Sequence, residues 1–350
     1  MSMPLASHPS LRPIAARAAA PRVSVVVPCY NEEAVLAETH RRLRAACEAV
    51  CPGDFELVYV DDGSRDGSWP ILSALADADP AVVAVALSRN FGHQLALSAG
   101  LSLARGERIL MIDADLQDPP ELLGAMMAKM DAGADVVYGQ RSEREGETAF
   151  KTGSASAFYR LLNRLTDIEI PANVGDFRLV NRQVLDALLA MPEQHRFVRG
   201  LVAWLGFRQE ALPYVRQARF AGETKYPLRK MLRLAADAIT GFSVRPLRLS
   251  MLFALASFAV AMAIALYALA TWLLGETVRG WASLTVVVAL FAGIQLLCLG
   301  IMGEYLGRMF MELKRRPLFL LREVRSRGPG PQPAADADAD ADAGTGGPAR

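Results

Sequence analysis

Several features are missing from this 350-residue chain, and each absence excludes a class of protein. Its four cysteines, at positions 29, 47, 51 and 298, show no Cys-x-x-Cys spacing, which argues against a structural zinc site and a disulfide framework. The formal net charge is only +1, so no basic excess could neutralise a phosphate backbone, and we expect no nucleic-acid partner. Residues 1–21 lack the apolar core of a signal peptide and are interpreted as a disordered leader.

The glycine-rich phosphate loops are missing as well. No G-x-G-x-x-G follows the first predicted strand, and no G-x-x-x-x-G-K-[ST] occurs anywhere, so the sequence supports neither a dinucleotide dehydrogenase nor a P-loop NTPase. The composition is nevertheless 52% hydrophobic, enough for one soluble domain and a more apolar region. The charge of any bound phosphate must therefore be neutralised by a metal ion or by basic side chains.

Strands alternate with helical patterns over the first half of the chain. Five apolar runs, each followed by helical spacing or a turn, are predicted strands: 23–27, 55–60, 82–87, 107–112 and 135–139. This rhythm predicts a doubly wound α/β domain with a mostly parallel sheet and right-handed crossovers. Ligands bind such sheets at the carboxyl ends of the strands.

An acidic turn, Asp113-Ala-Asp115-Leu-Gln117, directly follows the predicted strand 107–112. Two carboxylates and an amide oxygen are hard ligands that can hold Mg²⁺ or Mn²⁺ and leave positions open for phosphate oxygens. The turn is a candidate metal-diphosphate site. An alternative, on this turn alone, is that the acidic residues only cap the next helix.

Two long apolar runs follow the α/β region. Leu249 to Leu274 contains no charged residue, and Trp281 to Gly303 follows after a short polar turn. Each is long enough to cross a bilayer, which predicts a transmembrane hairpin; the alternative is a pair of buried core helices. Basic residues flank both outer ends: Arg245, Arg248, Arg308, Lys314, Arg315 and Arg316. The positive-inside rule then places both termini and the α/β domain on the cytoplasmic side of the inner membrane.

Six motifs stand in one order along residues 22–322. They are Val-Val-Pro-Cys-Tyr-Asn-Glu (26–32), Val-Asp-Asp-Gly-Ser (60–64), Arg-Asn-Phe-Gly (89–92), Asp-Ala-Asp-Leu-Gln-Asp-Pro-Pro (113–120), Gly-Asp-Phe-Arg-Leu (175–179) and Gly-Glu-Thr-Lys-Tyr (222–226). With the two apolar runs, this set closely resembles the family 2 inverting glycosyltransferases of GT-A fold. Within them it resembles the polyisoprenyl-phosphate glycosyltransferases related to dolichol-phosphate mannose synthase and the bactoprenol glucosyltransferases.

Composition and the resemblance together predict a division of the chain. A GT-A nucleotide-sugar-binding domain is followed by juxtamembrane amphipathic helices and the transmembrane hairpin. The predicted segments are the leader 1–21, catalytic domain 22–190, juxtamembrane and donor-loop segment 191–247, transmembrane helices 248–274 and 281–307, cytoplasmic basic segment 308–327 and disordered tail 328–350.

The resemblance also assigns residues to the nucleotide sugar and the metal. The implied donor-binding residues are Pro28, Tyr30, Glu32, Asp61, Asp62, Asp113, Arg219 and Lys225, the last two on a loop that closes over the donor phosphates. Asp113, Asp115 and Gln117 would hold Mg²⁺ or Mn²⁺.

On the acceptor side, the resemblance implies that the lipid phosphate is received by Arg141, Arg144, Lys151 and Ser154. The implied catalytic residues are Asp176, Asp115 and Arg141. Asp176 is a base or an orienting group, and both remain open, since a phosphate monoester with a second pKa of about 6 is already ionised at neutral pH. His93 opens a predicted helix, where we expect it to cap or pack.

The reaction that the resemblance implies is metal-dependent transfer of a hexose, glucose from UDP-glucose, to undecaprenyl phosphate, giving a lipid-linked sugar for modification of cell-envelope glycans. GDP-mannose and UDP-linked amino or N-acetyl sugars remain open as donors. A processive polysaccharide synthase would need a Gln-x-x-Arg-Trp motif and more helices, which the sequence lacks. A non-catalytic nucleotide-sugar sensor is the third hypothesis, and a homo-oligomer is possible.

Overall fold

The structure is a computed structural model that describes residues 20–141, 174–215, 243–274 and 280–327. The chain forms two compact units. One comprises Met1–Glu147, Pro171–Thr224 and Pro317–Arg350, and the other comprises Thr148–Ile170 and Lys225–Arg316.

The first unit is built on one sheet. Its described strands are β1 (Val23–Cys29), β2 (Phe55–Asp61), β3 (Val82–Leu87), β4 (Arg108–Met111), β5 (Val136–Arg141), β6 (Val174–Asn181), β7 (Gln209–Tyr214) and β8 (Leu321–Ser326), in the order β7-β5-β6-β4-β1-β2-β3-β8. Strands β1 to β4 pair in parallel, and β7 runs parallel to β5. The predicted α/β fold with a mostly parallel sheet is confirmed.

Helices cover the faces of the sheet, so the central strands are buried on both sides. The helices of this unit are α1 (Leu36–Val50), α2 (Ser68–Ala78), α3 (His93–Leu103), α4 (Leu123–Asp131), α5 (Arg182–Ala190) and α6 (Val198–Trp204), with a 3₁₀ turn at Pro120–Leu122. Every residue of β1, β2 and β3 is buried, as expected for runs of β-branched residues without alternation.

Helix α3 approaches β1 and β2 closely because a glycine faces the sheet. A Cβ added at Gly100 would lie 2.4 Å from Val26 Cγ1 and 3.0 Å from Val60 Cγ2. This contact fixes the distance of α3, and hence of its first residue His93, from the strand ends.

Three strands were not among those predicted. β6 contains the Gly-Asp-Phe-Arg-Leu motif and runs antiparallel to both β4 and β5. β7 lies within residues 191–247, which were predicted to form juxtamembrane helices, and β8 lies within the predicted basic segment 308–327. β7 and β8 are the edge strands of the sheet, where a continuous apolar run is not required. Their mixed sequences therefore gave no strand signal.

The second unit contains two long helices, α7 (Arg245–Leu273) and α8 (Trp281–Leu313). By length and composition, Arg245–Thr271 and Val286–Leu313 could each cross a membrane, and the most apolar window of neither is buried. Exposed apolar side chains such as Met251, Phe258 and Leu296 fit a lipid environment and disfavour buried core helices. Helix α7 begins three residues before the predicted bound 248 and ends at Leu273, one residue short of 274, whereas α8 begins at the predicted residue 281 and ends at Leu313, beyond 307.

The close packing of α3 gives a stability prediction. Gly100→Ala should lower the free energy of unfolding by about 1–2 kcal/mol, because overpacking against β1 outweighs the gain in helix propensity. Gly124→Ala is the matched control: it lies in α4, where the added Cβ would meet Val50 Cγ2 at 3.6 Å. That change should be neutral or mildly stabilising. Thermal unfolding of the full chain in detergent measures both, and equal melting temperatures would contradict the packing argument.

Candidate active site at the carboxyl ends of the strands

The parallel strands bring several polar side chains to one edge of the sheet. The register pairs Cys29 at the end of β1 with Asp61 at the end of β2, and β4 pairs with β1 on its other side. The loops carrying Tyr30, Asp62 and Asp113 therefore open at the same edge, as predicted for a doubly wound sheet.

The acidic turn after β4 is compact. Asp115 Oδ1 accepts a hydrogen bond from the Gln117 amide at 3.1 Å, and Leu116 between them has the left-handed φ of 58°. Asp113 and Asp115 are partly exposed, while Gln117 is buried.

Negative charge accumulates at this turn. Burial raises the pKa of Asp113 to about 6, and the charges of Asp176, Asp118 and Asp115 add to the rise against the opposing effect of His93. Among the described residues, no group of three or more His, Cys, Asp and Glu side chains forms a metal cage. Two carboxylates and one amide oxygen in a turn that concentrates negative charge fit a divalent cation with several positions open to phosphate oxygens.

Asp61 provides a buried acceptor beside this turn. It is fully buried, and its Oδ1 accepts from the Ser64 amide at 3.2 Å. Its Oδ2 has no hydrogen-bond partner among the described residues, although a buried carboxylate oxygen normally has one. Tyr30 is 43% exposed on the neighbouring loop.

Two further residues that were predicted to bind the donor, Pro28 and Glu32, contact neighbouring elements of the fold. Pro28 is buried in β1, where it pairs with Val60. The backbone amide of Glu32 donates to Ser68 Oγ at 2.9 Å, which joins the loop after β1 to the start of α2.

Asp62 holds the loop that precedes α3. Its Oδ1 accepts from the Phe91 amide at 2.7 Å and its Oδ2 from the Gly92 amide at 2.9 Å. Gly63, with φ of 69°, lets the loop after β2 lie close to the backbone of Arg89, since a Cβ on Gly63 would lie 2.7 Å from the carbonyl carbon of Arg89. Both oxygens of Asp62 thus accept from backbone amides, and its contact with the donor stays a prediction.

His93 lies between two carboxylates. Its Nε2 is 3.4 Å from Asp113 Oδ1 and 3.3 Å from Asp176 Oδ2. The N-cap residue of α3, Gly92, has no side chain with which to cap the helix, and the described contacts of the His93 ring are with these two carboxylates. Burial lowers the pKa of His93, but the hydrogen bond to Asp176 and the charges of Asp113 and Asp176 outweigh it and raise that pKa to about 9.

Asp176 lies opposite Asp113 because of the register between β4 and β6. That register pairs Met111 with Arg178 in antiparallel fashion, so its continuation places Asp113 opposite Asp176. Burial raises the pKa of Asp176, yet His93, Arg199 and Arg178 together hold it well below its usual range. This proximity was not predicted, because β6 was not among the predicted strands.

Arg141, at the end of β5, belongs to a polar cluster with Asp118 and Tyr214. Asp118 is buried, its Oδ1 accepts a short hydrogen bond from Tyr214 Oη, and it lies 3.5 Å from Arg141 Nη2. Arg141 Nε also donates to Tyr214 Oη at 3.2 Å. Burial lowers the pKa of Arg141, but the charge of Asp118 and the bond to Tyr214 raise it overall. A Cβ on Gly175 would lie 2.5 Å from Arg141 Nη2.

The structure therefore brings together Arg141, Asp176, His93 and the acidic turn. His93, Asp118 and Tyr214 were not predicted as members of this site, although Asp118 lies within the Asp-Ala-Asp-Leu-Gln-Asp-Pro-Pro motif. Five predicted site residues lie outside the described part of the chain: Arg144, Lys151, Ser154, Arg219 and Lys225.

Comparison with known proteins identifies relatives over most of the chain. A family model described as "Glycosyl transferase family 2" matches residues 24–189. The uncharacterized glycosyltransferase YkcC of Bacillus subtilis is 48% identical over 304 residues, covering 86% of this chain and 93% of that protein. A prophage bactoprenol glucosyl transferase homolog of Escherichia coli is 39% identical over 306 residues, 87% of this chain and all of that protein.

A bactoprenol glucosyl transferase of Shigella phage SfII is 37% identical over 309 residues, covering 88% of this chain and 100% of that protein. Among solved structures, a mannosyltransferase from Pyrobaculum calidifontis in complex with GDP-Man and Mn²⁺ aligns with a TM-score of 0.41 and 20% identity. That alignment covers 84% of this chain and 90% of that one.

The hydrogen bonds of Asp62 predict a structural cost for its removal. Asp62→Ala leaves the amides of Phe91 and Gly92 without their acceptors and should lower the free energy of unfolding by about 2–4 kcal/mol. Asp54→Ala is the control, because Asp54 accepts one exposed hydrogen bond from the Arg22 amide. Thermal unfolding of both variants in detergent checks this, and similar melting temperatures would refute the structural role of Asp62.

Proposed function

Since this chain belongs to glycosyl transferase family 2, we propose that it transfers a hexose from a nucleotide sugar to a polyprenyl phosphate. The favoured donor is UDP-glucose, the acceptor is undecaprenyl phosphate, and the product is a lipid-linked sugar of inverted configuration. One observation supports this above all: donor-side carboxylates Asp113 and Asp115 lie at the same sheet edge as Asp176 and Arg141, in a chain with two helices long enough to cross a membrane.

On the donor side, the exposed ring of Tyr30 and the buried oxygen of Asp61 would receive the base and ribose. Asp113, Asp115 and Gln117 would hold Mg²⁺ or Mn²⁺ against the diphosphate. When bound, such a cation neutralises the charge that grows on the departing nucleoside diphosphate. The accumulated charge of the acidic turn gives the cation a favourable position.

On the acceptor side, Arg141 would bind the lipid phosphate. Its guanidinium lies against Gly175, the residue before Asp176, so a phosphate held by Arg141 would lie beside the Asp176 carboxylate. The phosphate is already ionised near neutral pH, so little proton removal is needed, and Asp176 would serve mainly to orient the acceptor or the sugar. A planar guanidinium suits phosphate oxygens because it can donate two parallel hydrogen bonds.

Confinement of the active site to the membrane surface would explain why an α/β domain and two apolar helices belong to one chain. β7 precedes α7 and β8 follows α8, yet both strands belong to one sheet. Two crossings return the chain to the side from which it left, which agrees with the cytoplasmic location inferred from the flanking basic residues. Holding the site where the charged acceptor headgroup lies favours encounter between them.

Glucose is preferred over mannose or amino sugars because two of the relatives described above are bactoprenol glucosyl transferases or homologs by name. GDP-mannose and UDP-linked amino or N-acetyl sugars are the alternatives. The few hydrogen bonds that distinguish sugars determine the choice.

Loss of a metal ligand should abolish transfer without unfolding the protein. Asp115→Asn should reduce transfer by about 100-fold or more and weaken Mn²⁺ binding, because an acidic ligand is replaced by a neutral amide. The assay uses full-length protein in detergent with undecaprenyl phosphate, Mg²⁺ or Mn²⁺ and a panel of nucleotide sugars, with lipid products identified by mass.

The matched control is Asp54→Asn, which removes an exposed carboxylate at another loop and should transfer normally. Chelation should stop transfer by the wild type, and added Mg²⁺ or Mn²⁺ should restore it. Normal activity of Asp115→Asn would reject the metal assignment, and absence of a lipid-linked sugar with every donor would reject the proposed reaction.

Arg141 should matter more for the lipid than for the nucleotide. Arg141→Gln should raise KM for undecaprenyl phosphate by about 10-fold or more, since a charged hydrogen bond to phosphate is lost, and leave the affinity for the nucleotide sugar nearly unchanged. Arg208→Gln is the control, because Arg208 is an exposed cation paired with Glu210. Equal loss of affinity for both substrates would place Arg141 on the donor side.

A further inference from the structure

Gln94, the second residue of α3, joins three elements through one side chain. Its Nε2 donates to Asp176 Oδ2 on β6 at 2.7 Å. Its Oε1 accepts from the backbone amide of Val198, the first residue of α6, at 2.9 Å. The N-cap residue of α6, Phe197, provides no side-chain cap, so Gln94 satisfies an amide that the helix itself leaves unpaired.

The two partners fix the orientation of the Gln94 amide. A carboxylate only accepts hydrogen bonds and a backbone amide only donates, so the nitrogen must face Asp176 and the oxygen must face Val198. No other side-chain type of similar length makes both bonds. Glutamate would keep the bond to Val198 but place a second carboxylate against Asp176, and methionine would make neither bond.

The hydrogen bond from Gln94 occupies one carboxylate oxygen of Asp176 and leaves the other oxygen available to accept a hydrogen bond. Oδ2 is occupied by Gln94 and lies near His93, whereas Oδ1 is buried and has no hydrogen-bond partner among the described residues. Gln94 thus fixes the rotation of the carboxylate about its side-chain bonds, and with it the direction of Oδ1.

Cations surround the same stretch of β6. Arg199, the second residue of α6, donates to the Val174 carbonyl at 3.3 Å, and Arg178 donates to the Gly175 carbonyl at 3.0 Å. The Arg141 guanidinium lies against Gly175. By holding the first turn of α6, Gln94 keeps Arg199 near Asp176, so one side chain sets the relation between the carboxylate and the cations beside it.

We propose that Gln94 is a positioning residue that orients Asp176 toward the acceptor phosphate and holds the start of α6 beside it. This rests on the proposed transfer to a polyprenyl phosphate. Gln94 acts through Asp176, so its loss should affect the use of the acceptor and the rate of turnover and should spare binding of the nucleotide sugar.

The first experiment compares Gln94→Met with Gln94→Glu in full-length protein, using UDP-glucose and undecaprenyl phosphate. Gln94→Met should lower kcat/KM for the lipid by about 10- to 100-fold, because small misplacements of reacting groups are costly. Gln94→Glu should be slower still, since its carboxylate repels Asp176. The Kd for UDP-glucose should be unchanged in both. A Gln94→Glu enzyme faster than Gln94→Met would overturn the proposal, because it would show that only the bond to Val198 matters.

A double-mutant cycle provides the second test. In an Asp176→Asn background, Gln94→Met should cause little further loss, because the group through which Gln94 acts has already been changed. Independent, multiplicative losses would mean that Gln94 does not act through Asp176 and would overturn the proposal. Ser98→Ala is the control: Ser98 lies on the same helix and donates only to the Gln94 carbonyl, so its kinetics should match those of the wild type.

The outcomes separate this proposal from the function on which it rests. A wild-type enzyme that makes a lipid-linked sugar, with Gln94→Met at full kcat/KM, would overturn the role of Gln94 and leave the proposed function intact. A wild-type enzyme that makes no lipid product from any donor would overturn both.

Discussion

The structure depends on a group of carboxylates that lie close together at one end of a mostly parallel sheet. Asp61, Asp113 and Asp176 come from three strand ends or the loops that follow them, and Asp118 lies close by. Like charges in a partly buried region raise each other's free energy, so such a cluster persists only if cations compensate it. His93 and the arginines of β5 and β6 supply part of that compensation. A bound divalent cation would add to that compensation.

At the opposite end of the sheet, a buried carboxylate with a structural role has hydrogen bonds to both of its oxygens. Glu56, at the amino end of β2, is 2% exposed and accepts from Ser24 Oγ at 2.5 Å, the Arg105 amide at 2.6 Å and Arg105 Nε at 2.8 Å. Its two oxygens are both satisfied. Asp61, Asp118 and Asp176, in contrast, each keep one buried oxygen without a hydrogen-bond partner in the described part of the chain. These three carboxylates of the candidate site thus keep acceptor capacity that Glu56 does not.

Much of this arrangement could be predicted from the sequence, because the central strands are continuous apolar runs and the motifs follow them directly. The parallel core, the acidic turn and the two apolar helices were all predicted. The role of His93 was not, since its neighbours come from β4 and β6 and depend on an antiparallel register that local patterns do not reveal. Asp118 and Tyr214 were missed for a similar reason: β7 is an edge strand whose mixed sequence has no clear period. The contacts of Gln94 span 82 and 104 positions of sequence and depend on the packing of α3 and α6 against the sheet.

The last strand has a consequence for how the protein is made. β8 pairs antiparallel with β3, its backbone ladder is extended by the bond from the Ser88 amide to the Leu320 carbonyl, and Arg325 lies 3.6 Å from Asp77 of α2. The ribosome produces β8 only after both apolar helices, so the edge of β3 remains unpaired throughout their synthesis. Completion of the sheet must therefore wait until both helices, each long and apolar enough to cross a membrane, have been made. A nascent chain delayed at that step would expose an open strand edge to other chains, and pairing there is a common start of aggregation.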